Sequence, residues 1–343
     1  MDFRSDNVAG ASPEILAALA AANSGTAAAY GADEITARLE RRFSELFERD
    51  VAVFPVATGT AANALALAAL TPPWGVIYCH EEAHAAIDEC GAPEFFAGGA
   101  KLVALAGAHG KIAPDAVAAR LTTRGFVHHA QPAAITVSEA TEAGTLYRPD
   151  ELAALGAFAR RNGLALHVDG ARFGNAVAAL GCAPADLTWR AGADALSFGA
   201  TKNGALAAEA VIFFDPARAA DFGYRRKRAG HLLSKMRFLS VQLEAYLDDG
   251  LWLRNAAAAN RMAARLGSGL ARLPGACLRH PVEANEVFVD LPEPTIRALE
   301  ADGFRFYRWG GDEAACLRLV ASFATREDEV DRLLAAAAKH LAV

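Results

Sequence analysis

Ala165-Leu166-His167-Val168-Asp169-Gly170-Ala171-Arg172 is an apolar run that ends in a carboxylate and a guanidinium. Downstream, Gly199-Ala200-Thr201-Lys202-Asn203 delivers one lysine among small residues. The first stretch reads as a buried strand, and its two charges then fall just past the strand end. In open α/β sheets that edge is where ligands bind.

The same strand-then-turn pattern repeats on either side. Val51 to Phe54 is a short strand, Thr58-Gly59-Thr60 a turn, and Ala61 to Leu70 a helix. Val76 to Cys79, Lys101 to Leu105, Ala133 to Val137, Leu164 to Val168, Ala195 to Phe198 and Ala210 to Phe214 are further strands. Helices are predicted over Ser12-Pro13-Glu14 onward, over Glu34 to Glu48 and over Asp150 to Arg161, from apolar spacing and N-terminal caps. Strands alternating with helices imply an α/β domain with a mostly parallel sheet covered on both faces. After about residue 225 the pattern turns helical, with Lys235 to Leu247 and Leu251 to Leu273. Three strand-like runs follow, Val287 to Val289, Phe304 to Tyr307 and Leu317 to Val320, and then a helix over Arg326 to Ala342. The expected organisation is a large α/β domain over 1–250, with 1–10 as an N-terminal arm, and a small α+β domain over 251–343.

Composition narrows the partners. The 343 residues are 53% apolar and carry a formal net charge of −6, which gives no electrostatic reason to expect nucleic acid. Arg225-Arg226-Lys227-Arg228 is too short a basic run to change that, and it reads as a solvated helix face. The polar start Met1-Asp2-Phe3-Arg4-Ser5-Asp6 lacks the apolar core of a signal peptide, and no apolar run is long enough to span a bilayer. Five scattered cysteines without ligand spacing read as reduced thiols of a cytoplasmic protein, with no metal site.

Lys202 among Gly199, Ala200 and Gly204 has room beside it for a bulky ring, and a lysine in such a place can condense with an aldehyde. Asp169 needs a partner, either Arg172 or a ligand cation such as a pyridinium. Together they are what an enzyme needs to use pyridoxal phosphate as an electron sink. Thr58-Gly59-Thr60 opening a helix makes an anion cradle, or simply a cap. His84 is either a packed imidazole or a ring-stacking and proton-transfer group. No GxGxxG follows the first strand, which disfavours a dinucleotide oxidoreductase.

Phe3-Arg4-Ser5-Asp6-Asn7, Ala29-Tyr30-Gly31, Thr58 to Asn63, Ala83-His84, Asp88 to Phe96, His167 to Arg172 and Thr201-Lys202-Asn203-Gly204 resemble, in order along the chain, the low-specificity L-threonine aldolases. These are fold-type-I pyridoxal phosphate enzymes of the aspartate aminotransferase superfamily. The resemblance implies that Lys202 carries the cofactor aldehyde, Asp169 pairs with the pyridinium, Gly59 and Thr60 bind the phosphate, and His84 stacks on the ring. It implies that Ser5, Arg172 and Arg318 hold the substrate carboxylate, with Arg172 also within reach of the ring hydroxyl. It further implies a homotetramer, a dimer of dimers with shared active sites, so that Tyr30 and the loop at Lys227 serve a neighbouring subunit's site.

Two departures from the family pattern stand out. An Asn-Thr-His-Asn segment is replaced by Ala140-Thr141-Glu142-Ala143, which puts Glu142 where a histidine contacts the substrate's hydroxyl side. The loop Ala229 to Lys235 is also altered, with Lys235 a candidate for a phosphate-binding arginine and His231 for the lost histidine. The implied reaction is retro-aldol cleavage of L-threonine, L-allo-threonine or related β-hydroxy amino acids to glycine and an aldehyde. Another fold-type-I lyase, an aminotransferase or a non-catalytic cofactor-binding module are the alternatives.

Overall fold

The computed structural model describes residues 1–311 and 314–342. Its large sheet contains β1 (Ala52–Val56), β2 (Gly75–His80), β3 (Lys101–Leu105), β4 (Gln131–Ser138), β5 (Ala165–Gly170), β6 (Ala195–Gly199) and β7 (Glu209–Phe213) in the spatial order β1-β7-β6-β5-β4-β2-β3. Pairing is parallel from β3 through β6, while β7 runs antiparallel between β6 and β1. The central strands β2, β5, β6 and β7 are buried along their whole length. This explains why they read as continuous apolar runs rather than alternating ones.

The helix Gly59–Leu70 is buried from Ala61 through Ala68. Its side chains are small enough to let it sink between the sheet and outer helices, so its composition carries no amphipathic signal. The helix Glu34–Phe47 is the opposite case. It buries only Leu39, Phe43 and Phe47, is capped by Asp33 Oδ1 accepting from the Thr36 N–H at 2.9 Å, and stops at Glu48 with φ 54°.

A second sheet, β10-β11-β9-β8, is made of β8 (Cys277–Leu278), β9 (Glu286–Asp290), β10 (Tyr307–Arg308) and β11 (Cys316–Val320). The long helix Leu251–Leu270 joins the two cores. Leu251 and Trp252 pack with the first, and Met262, Ala263, Leu266 and Leu270 with the second. Phe3 belongs to the second core. Its N–H donates to the Arg305 carbonyl and its own carbonyl accepts from Val320 N–H, both at 2.8 Å.

Three local expectations are corrected. The strand expected over Phe304 to Tyr307 is reduced to Tyr307–Arg308, because Arg305 pairs instead with Asp2 in a parallel bridge. The helix expected from Lys235 begins at Arg237. Ser12 precedes the helix Pro13–Ala22 but does not cap it with its side chain. Its Oγ accepts from Asn255 Nδ2 at 2.9 Å, which fixes the loop behind Gly204.

Candidate active site

One cavity of about 570 Å³ opens at the carboxyl ends of the parallel strands. Ser5, Thr58, Gly59, Thr60, His84, Glu142, Asp169, Arg172, Lys202 and Arg318 all line it. Residues from the N-terminal arm, five segments at the ends of large-sheet strands and β11 are thus brought to one place.

Lys202 sits in the turn Thr201–Asn203 directly after β6, and its Nζ has no hydrogen bond or ion pair among the described residues. Burial, reinforced by the nearby Arg172 charge, lowers its pKa, while Asp6, Asp169 and Glu286 oppose that shift. A larger share of free amine follows, which is the form that attacks an aldehyde.

Asp169 is 6% exposed. Its Oδ2 accepts from Asn63 Nδ2 at 2.7 Å and its Oδ1 from the Ala171 N–H at 3.0 Å. It does not pair with Arg172. The Arg172 guanidinium turns away to Asp6 Oδ2, 2.7 Å from Nε, and to Glu286 Oε1, 2.6 Å from Nη1. Glu286 reaches on to Arg318, whose Nε lies 2.9 Å from its other oxygen. The two arginines expected at the substrate carboxylate are therefore clamped by one fully buried glutamate. Burial is the largest influence on the Asp6 carboxyl and pushes it up, but Arg172 and Lys202 together hold it below the usual carboxylate range. Ser5 Oγ accepts from Asn7 N–H at 3.2 Å, and Trp309 lies under the Arg318 guanidinium at 5.5 Å.

At the head of the helix Gly59–Leu70, Thr58 Oγ1 accepts from Ala61 N–H at 3.2 Å and the Thr58 carbonyl from Ala62 N–H at 3.1 Å. The N–H groups of Gly59 and Thr60 have no hydrogen-bond acceptor among the described residues, the arrangement an anion at a helix N-terminus requires. A Cβ built on Gly59 meets nothing within 4 Å, so the space in front of them is open.

His84 contacts two carboxyls. Its Nδ1 lies 2.9 Å from Glu89 Oε1, and its backbone N–H donates to Glu142 Oε1 at 2.8 Å. The bond to Glu89 raises the His84 pKa against the effect of burial. Glu142 also accepts from Ser138 Oγ at 2.6 Å, and burial raises its pKa. Below the lysine turn, Glu209 accepts from Ala200 N–H at 2.8 Å, and burial pushes its carboxyl up to about 7. His167, two residues before Asp169, bridges Thr136 and Ser197 and is pushed down to about 4 by burial, so it is a neutral strut between strands.

Three candidates lie outside the cavity wall. Tyr30 is 52% exposed under the Lys227 ammonium, at 4.8 Å, and Lys235 is exposed on the loop before Arg237. His231 turns to the end of β1, with Nδ1 accepting from Ala57 N–H at 3.2 Å, so it braces the segment leading to Thr58. Among the described residues no group of three or more His, Cys, Asp or Glu could hold a metal ion. Sequence reasoning missed Asp6, Asn63, Glu89, Glu209, Glu286 and Trp309. For Asn63 a signal existed: it is the one polar side chain in the buried run Ala61–Ala68.

The profile of the beta-eliminating lyase family matches residues 2–294. A low specificity L-threonine aldolase of Pseudomonas sp. is 48% identical over 333 residues, covering 97% of this chain and 96% of the relative. One of Pseudomonas aeruginosa is 49% identical over 331 residues, covering 96% and 95%. A solved threonine aldolase structure from Leishmania major superposes with a TM-score of 0.93 at 30% identity, over 99% of each chain. A serine palmitoyltransferase of Sphingomonas wittichii, 16% identical, shares the fold with a TM-score of 0.73 over 99% of this chain and 86% of that one.

Proposed function

The chain belongs to the beta-eliminating lyase family, and from that membership and the cavity's geometry we propose a pyridoxal phosphate-dependent aldolase. Its substrates are L-threonine, L-allo-threonine and related L-β-hydroxy-α-amino acids such as phenylserine, cleaved to glycine and an aldehyde. The fold is that of the fold-type-I pyridoxal phosphate enzymes. One observation carries the reading: an unpartnered lysine lies in the same cavity as a strand-end carboxylate and a pair of clamped arginines.

The residues fit the cofactor. Lys202 supplies the amine, Asp169 a carboxylate for a protonated ring nitrogen, and the N–H groups of Gly59 and Thr60 a seat for the phosphate, with His84 at the ring face. Pyridoxal phosphate, when bound, supplies an electron sink for the negative charge left at Cα. Arg172, Arg318 and Ser5 grip the substrate carboxylate and so orient the α-amino acid portion. His84 Nε2, with Glu142 beside it, takes the proton from the β-hydroxyl. The Cα–Cβ electron pair passes to Cα, the β-carbon leaves as an aldehyde, and Cα takes up a proton to become glycine. Beyond the β-hydroxyl this arrangement assigns no charged group to the substrate's side chain, which suits a range of β-substituents.

We further propose a homo-oligomer in which a second copy covers Tyr30 and Lys235 and brings them to its own cavity. A cytoplasmic location fits the five free cysteines. No helix is long and apolar enough to cross a membrane among the described residues.

The test is product analysis with L-threonine and L-phenylserine, comparing the unaltered protein with Lys202→Ala. Release of glycine and aldehyde in equal amounts, abolished by the substitution, is expected. Pyruvate and ammonia, or a keto acid, in place of glycine would overturn the aldolase reading.

A further inference from the structure

Glu89 lies five residues after His84, past the short helix His84–Ile87, and it is 3% exposed. Its Oε1 receives two groups, Asn63 Nδ2 at 2.8 Å and His84 Nδ1 at 2.9 Å. The same Asn63 nitrogen reaches Asp169 Oδ2 at 2.7 Å. Only an NH₂ group suits a position between two carboxyl oxygens, so the orientation of the Asn63 amide is settled by its neighbours. Both amide hydrogens are then used, one for each carboxyl. Glu89 Oε1 is therefore an acceptor, and the hydrogen between it and the imidazole belongs to Nδ1. The imidazole is left with Nε2 as its free nitrogen.

We propose that Glu89 and Asn63 are positioning residues that fix the His84 ring in the Nδ1–H form, present Nε2 to the cavity, and tie that ring to Asp169. The consequence for catalysis rests on the aldolase reading above; the protonation state does not. A carboxylate behind an imidazole fixes the tautomer and strengthens the remaining nitrogen as a proton acceptor. Asn63 adds a constraint of its own. It keeps Glu89 and Asp169 apart while bonding to both, so the group assigned to the ring nitrogen and the group assigned to the hydroxyl share one rigid support.

Several charges face His84 and set its titration. Glu89 and Asp169 favour the imidazolium, Lys202 opposes it, Glu142 holds the backbone N–H, and Asp88 lies in the same cavity wall. The test measures His84 directly, as the rate of its carbethoxylation against pH, resolved by peptide mass spectrometry on the cofactor-loaded and cofactor-free protein. In the unaltered protein the midpoint should lie above the ordinary histidine value of about 6.5. Glu89→Gln, which keeps an acceptor and removes the charge, should lower it by about one pH unit. The acid limb of kcat/KM should move down by the same amount, with KM for the amino acid changed less than twofold. Glu89→Asp, retaining the charge, should restore most of the midpoint. A wild-type midpoint at or below the ordinary value, or no movement in Glu89→Gln, would overturn the proposal. Absence of aldehyde from the unaltered protein would sink the aldolase reading and leave the titration result intact.

Discussion

Replacing Asn63 by leucine keeps the branching of the side chain and removes the two hydrogen bonds it donates to buried carboxyls. Hydrogen bonds to charged groups contribute about 1.5–3 kcal/mol each, so the gross loss is about 3–6 kcal/mol. The chain has a way to limit that loss, because Glu89 can take up a proton and donate it to a neighbouring oxygen. An ordinary glutamate titrates near about 4.3, so protonating it at pH 7 costs at most about 3.7 kcal/mol, and at pH 5.5 about 1.6. Burial already raises the Glu89 pKa, which makes the limit lower still. The expected destabilisation is therefore about 2–4 kcal/mol at pH 7, and under about 2 at pH 5.5. The sign follows from proton counting. The folded variant holds one more proton than its unfolded chain across this range, so its stability falls as pH rises, by up to about 1.4 kcal/mol per unit relative to the parent. Urea unfolding at both pH values, at one protein concentration, measures the difference. An equal loss at both pH values, or a loss below about 1 kcal/mol at pH 7, would refute the idea that one amide serves two carboxylates.

Three further outcomes are expected. A Cβ at Gly170 would lie 2.7 Å from both Leu196 Cδ1 and the Ser197 carbonyl oxygen, so Gly170→Ala should cost about 1–3 kcal/mol and weaken pyridoxal phosphate binding by displacing Asp169. Thermal unfolding and a cofactor titration would check both. Burial raises the Glu209 carboxyl from 4.5 to about 7, so the stability it contributes is fully present below pH 4.5 and is lost as pH rises through 7. Glu209→Gln should flatten that dependence and gain up to about 3 kcal/mol at pH 8, read by urea unfolding across the range. Arg318→Lys loses the planar fork held by Glu286 and should raise KM for L-threonine about tenfold or more, with a smaller effect on kcat, in steady-state aldehyde release.

The features that place the site were legible because they are local. Asp169 and Lys202 stand at the ends of buried strands, and Thr58 stands at the head of a helix, so each is marked by its own flanking residues. What the sequence leaves hidden is the pairing among them. Asp169 and Arg172 are close in sequence and of opposite charge, yet the turn after β5 sends them apart. The strand-end carboxylate folds onto its own Ala171 N–H, while the guanidinium crosses to Asp6 and Glu286, far away along the chain. The strand expected at Phe304 failed for a similar reason. Arg305 finds its partner in Asp2, and no local propensity announces a bridge to the other end of the chain. Tyr30 and Lys235 carry no local mark for the cavity, and their place outside it in a single chain could only be seen in three dimensions.

The position of β7 between β1 and β6 also governs how the chain can be made. Ala52 pairs with Phe213 and Val56 with Glu209, so β1 finds no partner in the large sheet until nearly two-thirds of the polypeptide has left the ribosome. At about 5–20 residues per second that wait is on the order of ten seconds or more. Throughout it, Ala52-Val53-Phe54-Pro55-Val56 is a sticky segment without a neighbour. Pro55 sits inside it, one residue from its end, where the missing N–H spoils the template that another nascent chain would need. In the finished molecule β1 is an edge strand, where a proline is tolerated. The same residue thus interrupts an exposed edge in the nascent chain and in the finished sheet, and the turn at Thr58 to Thr60 follows a strand whose partner is among the last of the large sheet to be made.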